Sequence, residues 1–213
     1  MDLELVANFL GAGGNVAAVI TALFLAVYPS RRSRPRLGLC SGVIDGTLEG
    51  SEDNVLIQDP DHGIVEYWIR LRVCAAAGKR TARNVQCRVA SVTPLSRPAS
   101  RVIPSGPLNW SSIGPEPQSI LSGSWLRVDL LVLYVEHPQR TCGPRIAIGY
   151  SFDKGEAQIM LEPGRYEVRV HLGSDDVPTS LWSVELEYLP DAKAISDADI
   201  RSQIRLTRLE RLR

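Results

Sequence analysis

The chain has 213 residues, with 24 lysines and arginines against 24 aspartates and glutamates, so its net charge is zero. Bulk electrostatics therefore single out neither nucleic acid nor an acidic substrate. Once about 36 residues are set aside for an anchor and linker, the rest suits one domain large enough to bury a real core.

Leu5 to Tyr28 carries no charged side chain and runs directly into Arg31, Arg32, Arg34 and Arg36. At about 1.5 Å per residue, a helix of that extent reaches about 36 Å, enough to cross a hydrocarbon layer of about 30 Å with some tilt. A cleaved signal peptide fits poorly, because the leader is acidic (Asp2, Glu4) and Ala26-Val27-Tyr28-Pro29 makes a poor cleavage site. The pattern predicts a single transmembrane helix over 1–30 and an arginine-rich juxtamembrane linker over 31–36. Basic flanks stay on the cytoplasmic side, so the N-terminus is expected outside the inner membrane and the bulk of the chain in the cytoplasm. Arg31, Arg32, Arg34 and Arg36 set that topology and meet lipid headgroups. Gly11, Gly14, Ala18 and Ala22 recur at about one turn, and Asn15 lies seven residues after Asn8. Small residues at that spacing let two spans approach closely, so this face is expected to pack helix on helix.

After the linker, Leu37 to Cys40 reads as a short strand. A Gly-, Asp- and Glu-rich loop follows, then the short apolar Val55-Leu56-Ile57. Asp59-Pro60-Asp61-His62-Gly63 is turn chemistry. Ile64 to Val73 alternates, with Tyr67, Ile69, Leu71 and Val73 on one side and Glu66, Trp68, Arg70 and Arg72 on the other, as in a half-buried strand. Val85, Cys87 and Val89 give a second alternating strand. Thr93 to Pro117 holds Pro94, Pro98, Pro104, Pro107, Pro115 and Pro117, so it reads as loop and edge strand, with Leu108-Asn109-Trp110 a short strand burying the indole.

Trp125 to Glu136 is the most apolar strand pattern of this part, and its Val and Leu content predicts a central position. Ile146 to Tyr150 is a shorter strand. Leu161 to Leu172 is a tight turn into an alternating strand, and Trp182 to Tyr188 alternates again before Pro190. Seven or eight short strands between Gly/Pro turns predict an all-β fold over 37–190.

Two motifs within this region resemble the immunoglobulin-like sandwich modules of bacterial cell-surface and membrane proteins, of the fibronectin III or CARDB type. Ala82, Asn84 and Val85 match the A-x-N-V strand that follows a glycine turn; Pro163, Gly164 and Tyr166 match the P-G-x-Y corner that opens a late strand. The resemblance implies an immunoglobulin-like β-sandwich in which Tyr166 is a structural corner, its hydroxyl bonding back to backbone. It also implies a module that binds or spaces other molecules and is seldom catalytic.

Beyond Pro190 the pattern changes. Ser196 followed by Asp199 is a helix start, and a short arginine-rich C-terminal helix is expected over 191–213. In it Arg201, Arg205 and Arg208 would share one face and contact a partner or lipid, although the apolar residues split into two partial stripes.

Catalytic chemistry leaves little trace. Asp59, Asp61 and His62 are close together but in a turn; His137 and His171 lie far away, so no metal is expected. There is no G-x-S-x-G motif, and the glycine-rich run in the span follows no strand and precedes no Lys. The four cysteines, Cys40, Cys74, Cys87 and Cys142, show no C-x-x-C and suggest buried thiols of a reducing compartment. The expected function is a non-enzymatic, membrane-anchored binding or scaffold protein without a cofactor. Its expected partners are membrane lipid and a protein partner or a second copy, with no nucleic acid and no small-molecule substrate. Alternatives are a defence-type membrane effector that oligomerises through its span to perturb the bilayer, and an exported ligand-binding module.

Overall fold

A computed structural model of the chain describes Ile20 and residues 33–40, 54–97, 106–136, 142–146, 160–190 and 196–213. The expected span over 1–30, with Gly11, Gly14, Asn15, Ala18 and Ala22, lies outside the described residues apart from Ile20, as do Arg31 and Arg32. Among the described residues, no helix is long and apolar enough to cross a membrane.

The fold is all-β. Among the described residues the strands in chain order are β1 (Leu37–Cys40), β2 (Val55–Asp59), β3 (Ile64–Ala75), β4 (Ala82–Pro94), β5 (Gly106–Pro107), β6 (Asn109–Trp110), β7 (Gln118–Ile120), β8 (Trp125–Glu136), β9 (Gly143–Ile146), β10 (Gly164–Ser174), β11 (Val177–Tyr188) and β12 (Ile204–Arg211), and Asp197–Ser202 forms a six-residue helix, α1. This exceeds the seven or eight strands expected, because short edge strands too brief to show a period share the flanks of long ones.

The strands form two antiparallel sheets. In the first, β3 and β8 are central; β1 and β2 both pair with β3, while β6 and β9 both pair with β8. In the second, the order is β12-β11-β10-β4-β5, and β7 also pairs with β4. Alternation sends one side of the long strands into a single shared core. Ile69, Leu71 and Val73 of β3 meet there with Val85, Cys87 and Val89 of β4 and Val168, Val170 and Leu172 of β10, all nearly or fully buried. Trp125–Glu136 is indeed a central strand, and Trp110 is buried with 1% exposure. Val132 and Tyr134 are buried as well, although they stand outside the shared core.

The C-terminal segment departs from expectation. The helix ends at Ser202, and Ile204–Arg211 is an edge strand hydrogen-bonded to β11. Ser196 does cap the helix, its Oγ accepting from the Asp199 N–H in a capping box. What overrides helix propensity afterwards is pairing: β11 offers a ladder, and Ile204 and Leu206 alternate into the core. The split apolar stripes were already a sign that no single helical face existed. A bulge falls between the pairs Glu185↔Arg208 and Leu186↔Leu206, leaving Thr207 as the extra residue.

The cysteine expectation is also corrected. Cys74 is disulfide-bonded, while Cys87 and Cys142 are free. The antiparallel pairing of β1 with β3 sets Cys40 opposite Arg72 and Cys74 opposite Gly38, a proximity that topology creates and sequence spacing does not reveal.

Candidate interaction surface at one end of the sheets

The stretch that follows the expected span is tied down at once. The Arg36 carbonyl accepts from the Ala76 N–H at 2.9 Å, and the Ser33 carbonyl accepts from the Arg80 N–H at 2.9 Å. Leu37 then pairs with Ala75. The linker therefore runs against the β3–β4 connection, at the end of the molecule where β8 also begins.

Two loops build this end. Gly78 and Gly123 supply the positive φ angles, 69° and 75°, that their tight turns require. The Gly123 N–H donates to the Ala75 carbonyl at 3.0 Å, and the Ala75 N–H donates back to the Ser124 carbonyl at 2.9 Å. The Lys79 N–H donates to Ser122 Oγ at 3.2 Å. The tip is thus a hydrogen-bonded unit joining β3, β4 and β8.

Its side chains are basic and aromatic. Arg34, Arg36, Arg80 and Arg83 are exposed. On the outward side of the first sheet, Arg72 and Arg127 lie opposite each other, with guanidinium carbons 4.5 Å and 4.9 Å from the centroid of Trp125. Trp125 is 41% exposed and Leu121, in the adjoining turn, 65%. Asp175 and Asp176, in the β10–β11 turn, also lie at this end; Asp175 accepts from the Asn84 side chain and its N–H donates to the Arg83 carbonyl.

The opposite end has a different character. It carries Asp59 and Asp61 of the β2–β3 turn, Glu136 at the end of β8, Glu162 before β10 and Asp199 of α1, interspersed with Arg97, Arg165 and Arg201. A chain with no net charge is therefore unevenly charged from end to end. In the β2–β3 turn, His62 Nδ1 lies 2.9 Å from Asp59 Oδ2 and the His62 N–H donates to Oδ1, a closed turn with Gly63 at φ 62°.

The other expected contact residues sit apart from the basic end. Tyr166 is nearly buried, and its hydroxyl donates to the Glu162 carbonyl at 2.8 Å; burial pushes its pKa up, and that hydrogen bond pulls the other way. Arg201 is exposed on α1, 6.0 Å from the Tyr67 ring. Arg205 and Arg208 do not share a helical face. They join a charged ladder on the second sheet, in which Arg205 and Arg165 both approach Glu187 at 3.5 Å, and Arg208 approaches Glu185 at 3.4 Å and Glu210 at 2.6 Å.

Two further polar features complete the surface. Arg70 Nε donates to Asp129 Oδ1 at 2.8 Å, and Ser111 Oγ donates to the same oxygen at 2.6 Å, in a largely desolvated cluster. A shallow trough of about 570 Å³ runs over β4 and β10, lined by Gln86, Arg88, His171 and Asp175 among others. Among the described residues, no three or more His, Cys, Asp or Glu side chains gather as a metal site.

Sequence reading missed Arg72, Trp125 and Arg127 as a unit. The available signal was the outward half of the β3 alternation, which ends on Arg72, together with a strand that begins Trp-Leu-Arg. Comparison with protein-family models, curated proteins and solved structures found no match.

Proposed function

We propose that the chain is a single-pass, membrane-anchored, non-enzymatic binding protein whose two sheets form an immunoglobulin-like β-sandwich, fixed beside the bilayer to contact a protein partner. The observation that carries this reading is the docking of the linker. Ser33 and Arg36 are already bonded to the β3–β4 connection, so only residues 29–32 separate the end of the apolar run from the folded body. At about 3.5 Å per extended residue, Tyr28 and Ser33 lie no more than about 18 Å apart. The basic end then faces the lipid, and the opposite end is held out for contact.

A protein partner is favoured over edge-to-edge assembly of copies. Among the described residues β12 is an edge of the second sheet, and it carries the bulge at Thr207 and bears Arg205 and Arg208. Bulges and charges on an edge strand work against pairing with an identical edge. Arginine at the flank after the span argues for the cytoplasmic side of the inner membrane.

One observation favours a second reading, the exported module. Cys74 is in a disulfide, and disulfides persist in oxidising compartments. Fusing alkaline phosphatase or a fluorescent protein to the C-terminus separates the two: phosphatase activity means the sheets lie outside, and fluorescence without it means they lie inside. Resistance to extraction at alkaline pH tests the anchor itself; recovery of the full chain in the aqueous fraction overturns the proposal. Gly14→Leu with Ala18→Leu tests the effector alternative, which requires loss of membrane leakage.

A further inference from the structure

We infer that the end built by Arg34, Arg36, Arg80, Arg83, Trp125 and Leu121 is a docking surface for anionic phospholipid, which fixes the folded body against the bilayer. This rests on the membrane-anchored reading and deepens it: the anchor brings the body to the membrane, and this surface orients it. Three observations converge. Arg34, Arg36, Arg80 and Arg83 are exposed on neighbouring segments, and each basic side chain near an anionic surface adds about fivefold to its attraction. Trp125 and Leu121 are the exposed apolar residues beside them, at 41% and 65%. A tryptophan with an apolar body and polar edge suits the headgroup level, where arginine also binds phosphate. Lastly, the tip is held rigid by the Gly123–Ala75, Ala75–Ser124 and Lys79–Ser122 hydrogen bonds, so little chain entropy opposes docking.

Charge and position together choose lipid over a protein partner for this surface. The linker leads directly into it from an apolar run, which leaves little room for a folded partner between the body and the membrane. Asp175 and Asp176 also lie at this end, in a cleft shared with Arg34 and Arg80; the four exposed arginines outnumber them, whereas the acids of the opposite end, including Asp59, Asp61 and Glu136, would be repelled by the same anionic leaflet.

The test uses the full chain inserted in vesicles of phosphatidylcholine alone or of phosphatidylcholine and phosphatidylglycerol in equal parts. Amide hydrogen exchange is followed in residues 76–83 and 121–127. Exchange there is expected to slow about tenfold in the anionic vesicles relative to the neutral ones. The slowing should vanish in about 0.5 M salt, where screening is nearly complete beyond a few ångströms. Arg80→Glu with Arg83→Glu should abolish it too, while the β10 and β11 amides keep their protection and report an intact fold. Equal exchange in the two vesicle types overturns the proposal, as does slowing that survives both salt and charge reversal. Floating the vesicles after an alkaline wash reads the anchor separately. If the chain is washed off, the anchored reading fails, and the same exchange measured with vesicles added to the chain in solution still decides the surface.

Discussion

Arg72 and Arg127 stand directly opposite each other on β3 and β8, and both lie within 5 Å of the Trp125 ring centroid, at 4.5 and 4.9 Å. Like charges opposite one another on a sheet normally repel. Here the indole offers its electron-rich face to both, so an unfavourable pair becomes a cluster.

Trp125→Ala should therefore cost more than loss of an exposed side chain alone. Two cation–π contacts of about 0.5–1 kcal/mol each disappear, and the indole no longer offsets the opposed charges. Chemical denaturation should show a loss of about 1–2 kcal/mol. Adding Arg127→Gln to Trp125→Ala should recover part of it, because the opposed charges are then gone. A double mutant no more stable than Trp125→Ala would contradict this account.

Asp129 is a buried charge of the first sheet. It accepts from Arg70 Nε and Ser111 Oγ while only about a tenth exposed, its side chain at 9%. Asp129→Ala leaves a mostly buried guanidinium without its counter-charge and should destabilise by about 3–5 kcal/mol. Replacing Arg70 and Asp129 together by Met and Leu should be far milder, since the penalty comes from stranding one partner. Thermal unfolding of the three proteins checks the order.

Tyr166→Phe removes one hydroxyl whose partner is the Glu162 carbonyl, four residues upstream. The expected loss is about 0.5–1.5 kcal/mol, with the fold unchanged. A comparable loss from Tyr188→Phe would mean that the bond to Glu162 has no particular weight.

The cysteines predict distinct thiol behaviour. Cys142 is exposed and Cys87 is fully buried, with its thiol pushed up to about 12 by desolvation. In native protein near pH 8, a chromogenic disulfide reagent should titrate Cys142 alone; denaturation without reductant should add Cys87, and reduction should bring the total to the four cysteines of the chain. The raised pKa also sets a pH window. The unfolded thiol ionises near about 8.5 and the folded one near about 12, so the unfolded state loses its proton first. This contribution to stability is whole below about pH 8 and falls as pH rises from there to about 12. Cys87→Ala should remove that part of the alkaline decline, read from unfolding midpoints across the range.

The sequence by itself determined that this chain is all-β, where its long strands lie and which faces they bury. The alternation in Ile64–Ala75 and the apolar density of Trp125–Glu136 are local patterns, and hydrophobic burial acts on them wherever the strands end up. Tertiary structure alone decided the rest. Ile204–Arg211 became a strand because β11 had an open ladder to offer, and no count of helical faces contains that fact. Arg36, Arg80 and Trp125 met at one end because three distant segments end there, and Cys74 lost its free thiol to an arrangement that spacing does not encode. Those outcomes depend on which backbone runs beside which, and pairing between remote segments is a property of the whole fold rather than of any stretch within it.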